Sequence, residues 1–126
     1  MKILVLDDSK ERMVKFSQLL SRPGTEIWYA YESQDAIDLL DTLKFDAVFL
    51  DHDLGGGAFE PSNHKSGYAV ACYLEEYQER QPEFIIIHSL NPIGARKMNL
   101  ALPEAVHLPF VWLGRHNRRL KEMGIL

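Results

Sequence analysis

The sequence predicts an α/β three-layer sandwich built on a five-stranded parallel sheet, in the order 2-1-3-4-5. Three observations lead there. Short apolar runs alternate five times with stretches of helical period. Runs such as Ile3-Leu4-Val5-Leu6 and Phe84-Ile85-Ile86-Ile87 are apolar on both faces, so their sheet needs cover on both sides. A chain of 126 residues, 46% hydrophobic and 25% charged, suits one globular domain over residues 1–126. Crossovers in such a sheet are right-handed.

Residues 2–6 read as the first strand. Residues 9–20 follow as a helix with Met13, Phe16 and Leu20 on one face, and Asp8 with Glu11 as a capping box. Arg22-Pro23-Gly24 ends that helix. Residues 26–31 are a second strand, and Ser33 is the expected N-cap of a helix reaching Leu43. Residues 45–50 form a third strand. Residues 55–66 are polar and glycine-rich, a long loop. A helix over 67–80 aligns Val70, Leu74 and Tyr77. Residues 84–87 are the fourth strand, and Asn91-Pro92 opens a helix to about Leu100. Residues 105–108 are a short fifth strand. Pro109 leads into a last helix with Trp112, His116, Leu120 and Met123 on one face.

The net charge of −4 argues against broad electrostatic binding of nucleic acid, and no duplex DNA partner is expected. The single cysteine, Cys72, cannot form an internal disulfide, which agrees with a cytoplasmic protein. The first apolar run is too short to span a membrane, and no leader pattern is read.

In an open parallel sheet the ligand crevice lies at the carboxyl ends of the strands. Those ends carry Asp7-Asp8, Asp51-His52-Asp53, His88-Ser89 and His107-Leu108-Pro109. With the first and third strands adjacent, Asp7, Asp8 and Asp51 crowd one spot. Like charges so close call for a proton or a cation, and a hard divalent ion is the natural bridge. The competing interpretation makes Asp8 a helix cap and Asp51 a turn residue.

These residues, with Pro109-Phe110, resemble the receiver domain of two-component response regulators over essentially the whole chain. The resemblance implies a flavodoxin-like fold. It also implies Mg²⁺ (or Mn²⁺) held by Asp7, Asp8, Asp51 and the carbonyl of Asp53, with a phosphoryl group accepted by Asp51 and hydrogen-bonded by Ser89. One departure is the lysine that receivers place before the fifth-strand proline, where this chain has Leu108. Removing that cation forfeits an electrostatic partner of the phosphoryl group. Lys65 is a candidate substitute. A second departure is His52, His88 and His107 at three strand ends. Each has a structural interpretation, and each also suits proton transfer near neutral pH.

The stretches DHDLGG and HSLNPIGA are similar to a divergent receiver branch proposed to process cyclic phosphates and associated with RNA repair. That resemblance implies a metal-dependent phosphoesterase acting on a cyclic phosphate of a nucleotide or an RNA end. His88 and His52 would move protons, and Asp51 would serve as nucleophile or ligand. The alternatives are a stand-alone receiver phosphorylated on Asp51 by a partner kinase, and a receiver that only binds another protein.

Other features weigh less. The 55–66 loop is either a lid or a surface insertion, and its Gly55-Gly56-Gly57 lacks the Gly-Lys-Ser/Thr of a P-loop. Arg115, His116, Arg118, Arg119 and Lys121 make the last helix basic, as a solvated face or an RNA-facing one. Trp112 and Cys72 are expected in the core. The histidine spacing does not suggest a zinc motif.

Overall fold

The structure, a computed structural model, describes residues 1–55, 61–111 and 117–126. β1 (Lys2–Leu6) is buried from Ile3 onward. It sits second in a five-stranded parallel sheet of order β2-β1-β3-β4-β5, with β2 at Glu26–Ala30, β3 at Ala47–Leu50, β4 at Phe84–Ile87 and β5 at Val106–His107. This is the expected topology. β3 is buried at every position, as a central strand covered on both faces must be.

Period-two alternation divides the core. Leu4, Leu6, Val48, Leu50, Ile85 and Ile87 face a cluster with Ala36, Leu40, Val70, Leu74, Ala95 and Met98. Those partners come from α2 (Ser33–Thr42), α3 (Gly67–Glu76) and α4 (Pro92–Ala101). Ile3, Val5, Ala47, Phe49 and Ile86 face the other way, against Met13, Phe16 and Leu20 of α1 (Lys10–Leu20) and Leu120 of α5 (Asn117–Glu122). Two helical layers therefore enclose the sheet.

Several local expectations shift. The N-cap of α1 is Ser9, whose Oγ accepts the Arg12 N–H at 3.2 Å, rather than Asp8. Ser33 is the first helical residue of α2. Its hydroxyl donates to the His64 carbonyl at 3.0 Å, and Glu32 holds the cap position without a side-chain bond. α3 ends at Glu76, and Gln78–Arg80 tightens into a 3₁₀ turn. β5 pairs over two residues only, because Pro109 removes the next N–H but one. Cys72 is a free, half-buried thiol rather than a core residue. Trp112, Arg115, His116 and the middle of the 55–66 loop fall outside the described residues. No helix among the described residues is long and apolar enough to cross a membrane.

Candidate functional site

Register builds the site. The last paired row of the central sheet is Leu6, Leu50 and Ile87, and Ile87 pairs His107. One residue further lie Asp7, Asp51, His88 and Leu108. Their backbone N–H groups donate to Ala30, Leu6, Leu50 and Ile87 respectively, so the row continues the sheet. Alternation turns this row to the α1 side, in step with Val5, Phe49 and Ile86. Asp7, Asp51 and His88 each offer one donor atom within 4.8 Å of the others. All three are buried, Asp51 at 5% exposure and His88 at 1%.

The cation that meets these acids is Arg12, from the first turn of α1. Its Nε donates to Asp7 Oδ2 and its Nη2 to Asp7 Oδ1, both at 2.8 Å. The same Nη2 lies 3.3 Å from Asp51 Oδ2 and 3.5 Å from Asp8 Oδ1. His88 Nε2 reaches Asp7 Oδ2 at 2.9 Å, and the Ser9 N–H donates to Asp7 Oδ1 at 2.9 Å. Burial works against the charge on Asp7. The hydrogen bonds from His88 and Arg12 outweigh it and bring the pKa down to about 2. Asp51 goes the other way: burial, with the neighbouring Asp7 charge, raises its pKa against the pull of His88 and Arg12. Arg12 is held charged, first by its hydrogen bonds to Asp7.

His52 follows Asp51 and, by alternation, points to the α4 side. Its Nδ1 donates to Asp53 Oδ1 at 2.8 Å, which leaves Nε2 to accept the Ser62 hydroxyl at 2.8 Å. Asn91 Nδ2 donates to the same Asp53 oxygen at 3.1 Å, and Asn91 Oδ1 caps α4 through the Gly94 N–H at 2.9 Å. Two glycines let the helices come this close. A Cβ on Gly94 would overlap the His52 ring, and one on Gly67 would overlap the Asp51 carbonyl oxygen.

The structure thus brings Asp7, Asp8, Asp51 and His88 together, and it places His52 and Asp53 in an adjoining network. Ser89 is buried, and its Oγ accepts the Asn91 N–H at 3.1 Å. Lys65 is exposed and lines a cleft of about 230 Å³ with Leu54, Gly55, Pro61, Asn63 and Ser66. His107 Nε2 bonds the Ser89 carbonyl at 2.9 Å. Leu108, where a receiver has lysine, is sealed in the core at 1% exposure. Sequence reasoning passed over Arg12, Ser62 and the side chain of Asn91. Arg12 did leave a signal: a cation in the first turn of a helix opposes the helix dipole, and it stands four residues after Asp8.

The donor set fits a divalent cation. Two carboxylates and an imidazole converge in a buried pit, and the guanidinium of Arg12 stands where a positive charge is needed.

Several solved structures of similar fold are response regulators. Over 97% of this chain and 97% of the other, it superimposes on response regulator protein TrrA from Thermotoga maritima, described in complex with Mg²⁺-BeF, with a TM-score of 0.71 and 22% identity. A signal receiver domain of a LuxO repressor protein from Vibrio parahaemolyticus gives 0.68 and 17% identity over 98% and 92%. A response regulator from Burkholderia pseudomallei, described with a phosphorylated aspartic acid, calcium ion and citrate, gives 0.63 and 19% identity. This chain is covered there to 84% and spans 58% of that protein. No curated protein matches the sequence. A family model described as "Cyclic-phosphate processing Receiver domain" matches residues 2–104. That match spans the first four strands and both histidine–carboxylate networks, and the chain belongs to the cyclic-phosphate processing receiver domain family.

Proposed function

We propose that the protein hydrolyses a cyclic phosphate, on a nucleotide or at an RNA end, at the pit formed by Asp7, Asp8, Asp51 and His88. The observation that carries this reading is the exchange of a cation for imidazoles. The lysine position of a receiver is the buried Leu108, while two histidines, each fixed by a carboxylate, flank Asp51. Such groups serve proton transfer to and from a phosphoester.

Asp7, Asp8 and Asp51, with the carbonyl of Asp53, are the residues for a divalent cation such as Mg²⁺ or Mn²⁺. That cation would neutralise charge developing on the phosphate. Arg12, beside Asp51, offers a guanidinium to phosphate oxygens, and Ser89 and Lys65 are further candidates to contact them. Asp7, ionised at any working pH, orients His88. Asp53 orients His52, and Asp51 either binds the cation or attacks the phosphorus; that attack opens one ring P–O bond, the leaving alkoxide takes a proton from a histidine, and water then hydrolyses the aspartyl phosphate. A cytoplasmic setting agrees with the free thiol of Cys72.

The experiment is a panel of phosphoesters, including 2′,3′-cyclic nucleotides, with Mg²⁺ and Mn²⁺. Turnover is expected, falling by about 100-fold or more in His88→Ala, the usual span of a lost acid–base group. Absence of turnover across the panel rejects the hydrolase. Asp51 and Ser89 at receiver positions favour a second reading, a kinase-fed phosphorelay receiver. Stable labelling by a small phosphodonor, lost in Asp51→Asn, selects that reading instead.

A further inference from the structure

We infer that Asp7, Asp51 and His88 form a mixed oxygen–nitrogen site for a first-row transition cation of the Mn²⁺, Co²⁺ or Zn²⁺ class, in preference to Mg²⁺, and that Arg12 is the internal cation this ion displaces. The inference rests on the preceding reading that the acids serve a divalent cation; it names which kind, and it makes His88 a ligand of that ion in place of a proton-transfer group.

The imidazole is the first argument. His88 is 1% exposed and lies in a cage of phenylalanines, 4.9 Å from the Phe16 ring and 6.5 Å from that of Phe110. Its Nε2 is aimed at Asp7, while its Nδ1 is buried without a hydrogen-bond partner among the described residues. An unmade hydrogen bond of this kind is costly. The ring therefore presents Nε2, the nitrogen that faces polar groups, to the acids.

Ligand chemistry is the second. Mg²⁺ demands oxygen donors and keeps several waters, whereas imidazole suits the later first-row ions. Donor atoms around an ion with bonds of about 2.1 Å lie at most about 4.2 Å apart. A cluster already within 4.8 Å needs only a sub-ångström closure.

Arg12 is the third. A single nitrogen, Nη2, lies within 3.5 Å of carboxylate oxygens from Asp7, Asp8 and Asp51. This point, shared by three carboxylates, cannot hold a guanidinium and a metal ion together. Asp7 and His88 are buried and fixed, whereas the Arg12 side chain is 32% exposed and has solvent to move into.

The test titrates Mg²⁺, Mn²⁺ and Co²⁺ separately into the metal-free full chain without a histidine tag. Tenfold or tighter binding of Mn²⁺ and Co²⁺ over Mg²⁺ is expected, as is nitrogen coupling in pulsed electron paramagnetic resonance of bound Mn²⁺. Labelling histidine with ¹⁵N in the wild-type protein should change that coupling, a readout that needs no variant to fold. His88→Gln should weaken Co²⁺ at least tenfold and leave Mg²⁺ within twofold. Arg12→Gln should tighten Mn²⁺ several-fold. Equal affinities for the three ions, absence of histidine nitrogen coupling, or weaker Mn²⁺ binding in Arg12→Gln overturns the inference. Failure of every ion to bind removes the metal from the hydrolase reading as well. Mn²⁺ bound through histidine without phosphoester turnover supports the site and rejects only the hydrolase.

Discussion

Two histidine–carboxylate pairs stand on opposite sides of the β3 terminus, and they are built differently. His88 and Asp7 are 81 residues apart, brought together by strand order and register. His52 and Asp53 are neighbours in the chain. The first carboxylate is shared with a guanidinium and is strongly ionised, and its imidazole keeps one nitrogen unpaired. In the second, both ring nitrogens of His52 are satisfied, by Asp53 and Ser62, and Asn91 steadies the carboxylate. One pair carries unbalanced charge and an incomplete hydrogen-bond set, as a site that takes a ligand would. The other resembles a scaffold that fixes the loop after β3. Both glycines press on the β3 terminus from the side of His52: Gly67 against the Asp51 carbonyl, Gly94 against the His52 ring.

Perturbing the two sides separately breaks or sharpens this contrast. Gly67→Ala has the largest expected effect, because its Cβ meets backbone oxygen, which cannot turn aside. A loss of about 3 kcal/mol is expected in urea unfolding, at the upper end for overpacking. Asp7→Asn comes next, at about 2 kcal/mol, since Arg12 can turn to Asp51 and Asp8 instead of being stranded. Because its folded pKa of about 2 lies below the unfolded 3.8, Asp7 contributes about 2 kcal/mol of stability above roughly pH 4. Acid titration of the wild type should lose this as pH falls toward 2, and the Asn variant should lack that part of the loss.

Gly94→Ala follows. Its clash with a pinned imidazole, about 1–3 kcal/mol, is offset by about 1 kcal/mol of helix propensity. A net loss near 1 kcal/mol, read as a thermal midpoint lower by about 4 °C, would fit, and a gain would show His52 to be loosely held. The smallest change has the opposite sign. The folded pKa of Asp51 is raised, so the native state favours its protonated form and its charge is a burden at neutral pH. Asp51→Asn should stabilise slightly at pH 7. That gain should disappear in acid, where the wild type protonates as well.

The fold was legible because the central strands β1, β3 and β4 are unmistakable apolar runs and α1 and α2 have clean faces. Most of the site was legible because parallel sheets present chemistry at their carboxyl ends. Asp7, Asp8, Asp51 and His88 all lie where that rule puts them. The partners were harder to see. Arg12 sits on a helix surface, where an arginine is usually solvated, and only the three-dimensional path of α1 over the row sets it against the acids. Ser62 lies in a loop whose return toward His52 no local pattern encodes. The split between Asp51 and His52 is itself a period-two consequence, but it needs the register of β3 against β1 and β4, which propensity does not supply.

The aromatic cage has a practical consequence. Aromatic ring currents displace the magnetic resonances of nearby protons, and the His88 imidazole lies 4.9 Å, edge to face, from Phe16. Its carbon-bound protons should therefore resonate away from those of the other four histidines, giving the pit a built-in reporter. Movement of that one signal on addition of cation or nucleotide would follow events at Asp7 and Asp51 without probe, label or substitution.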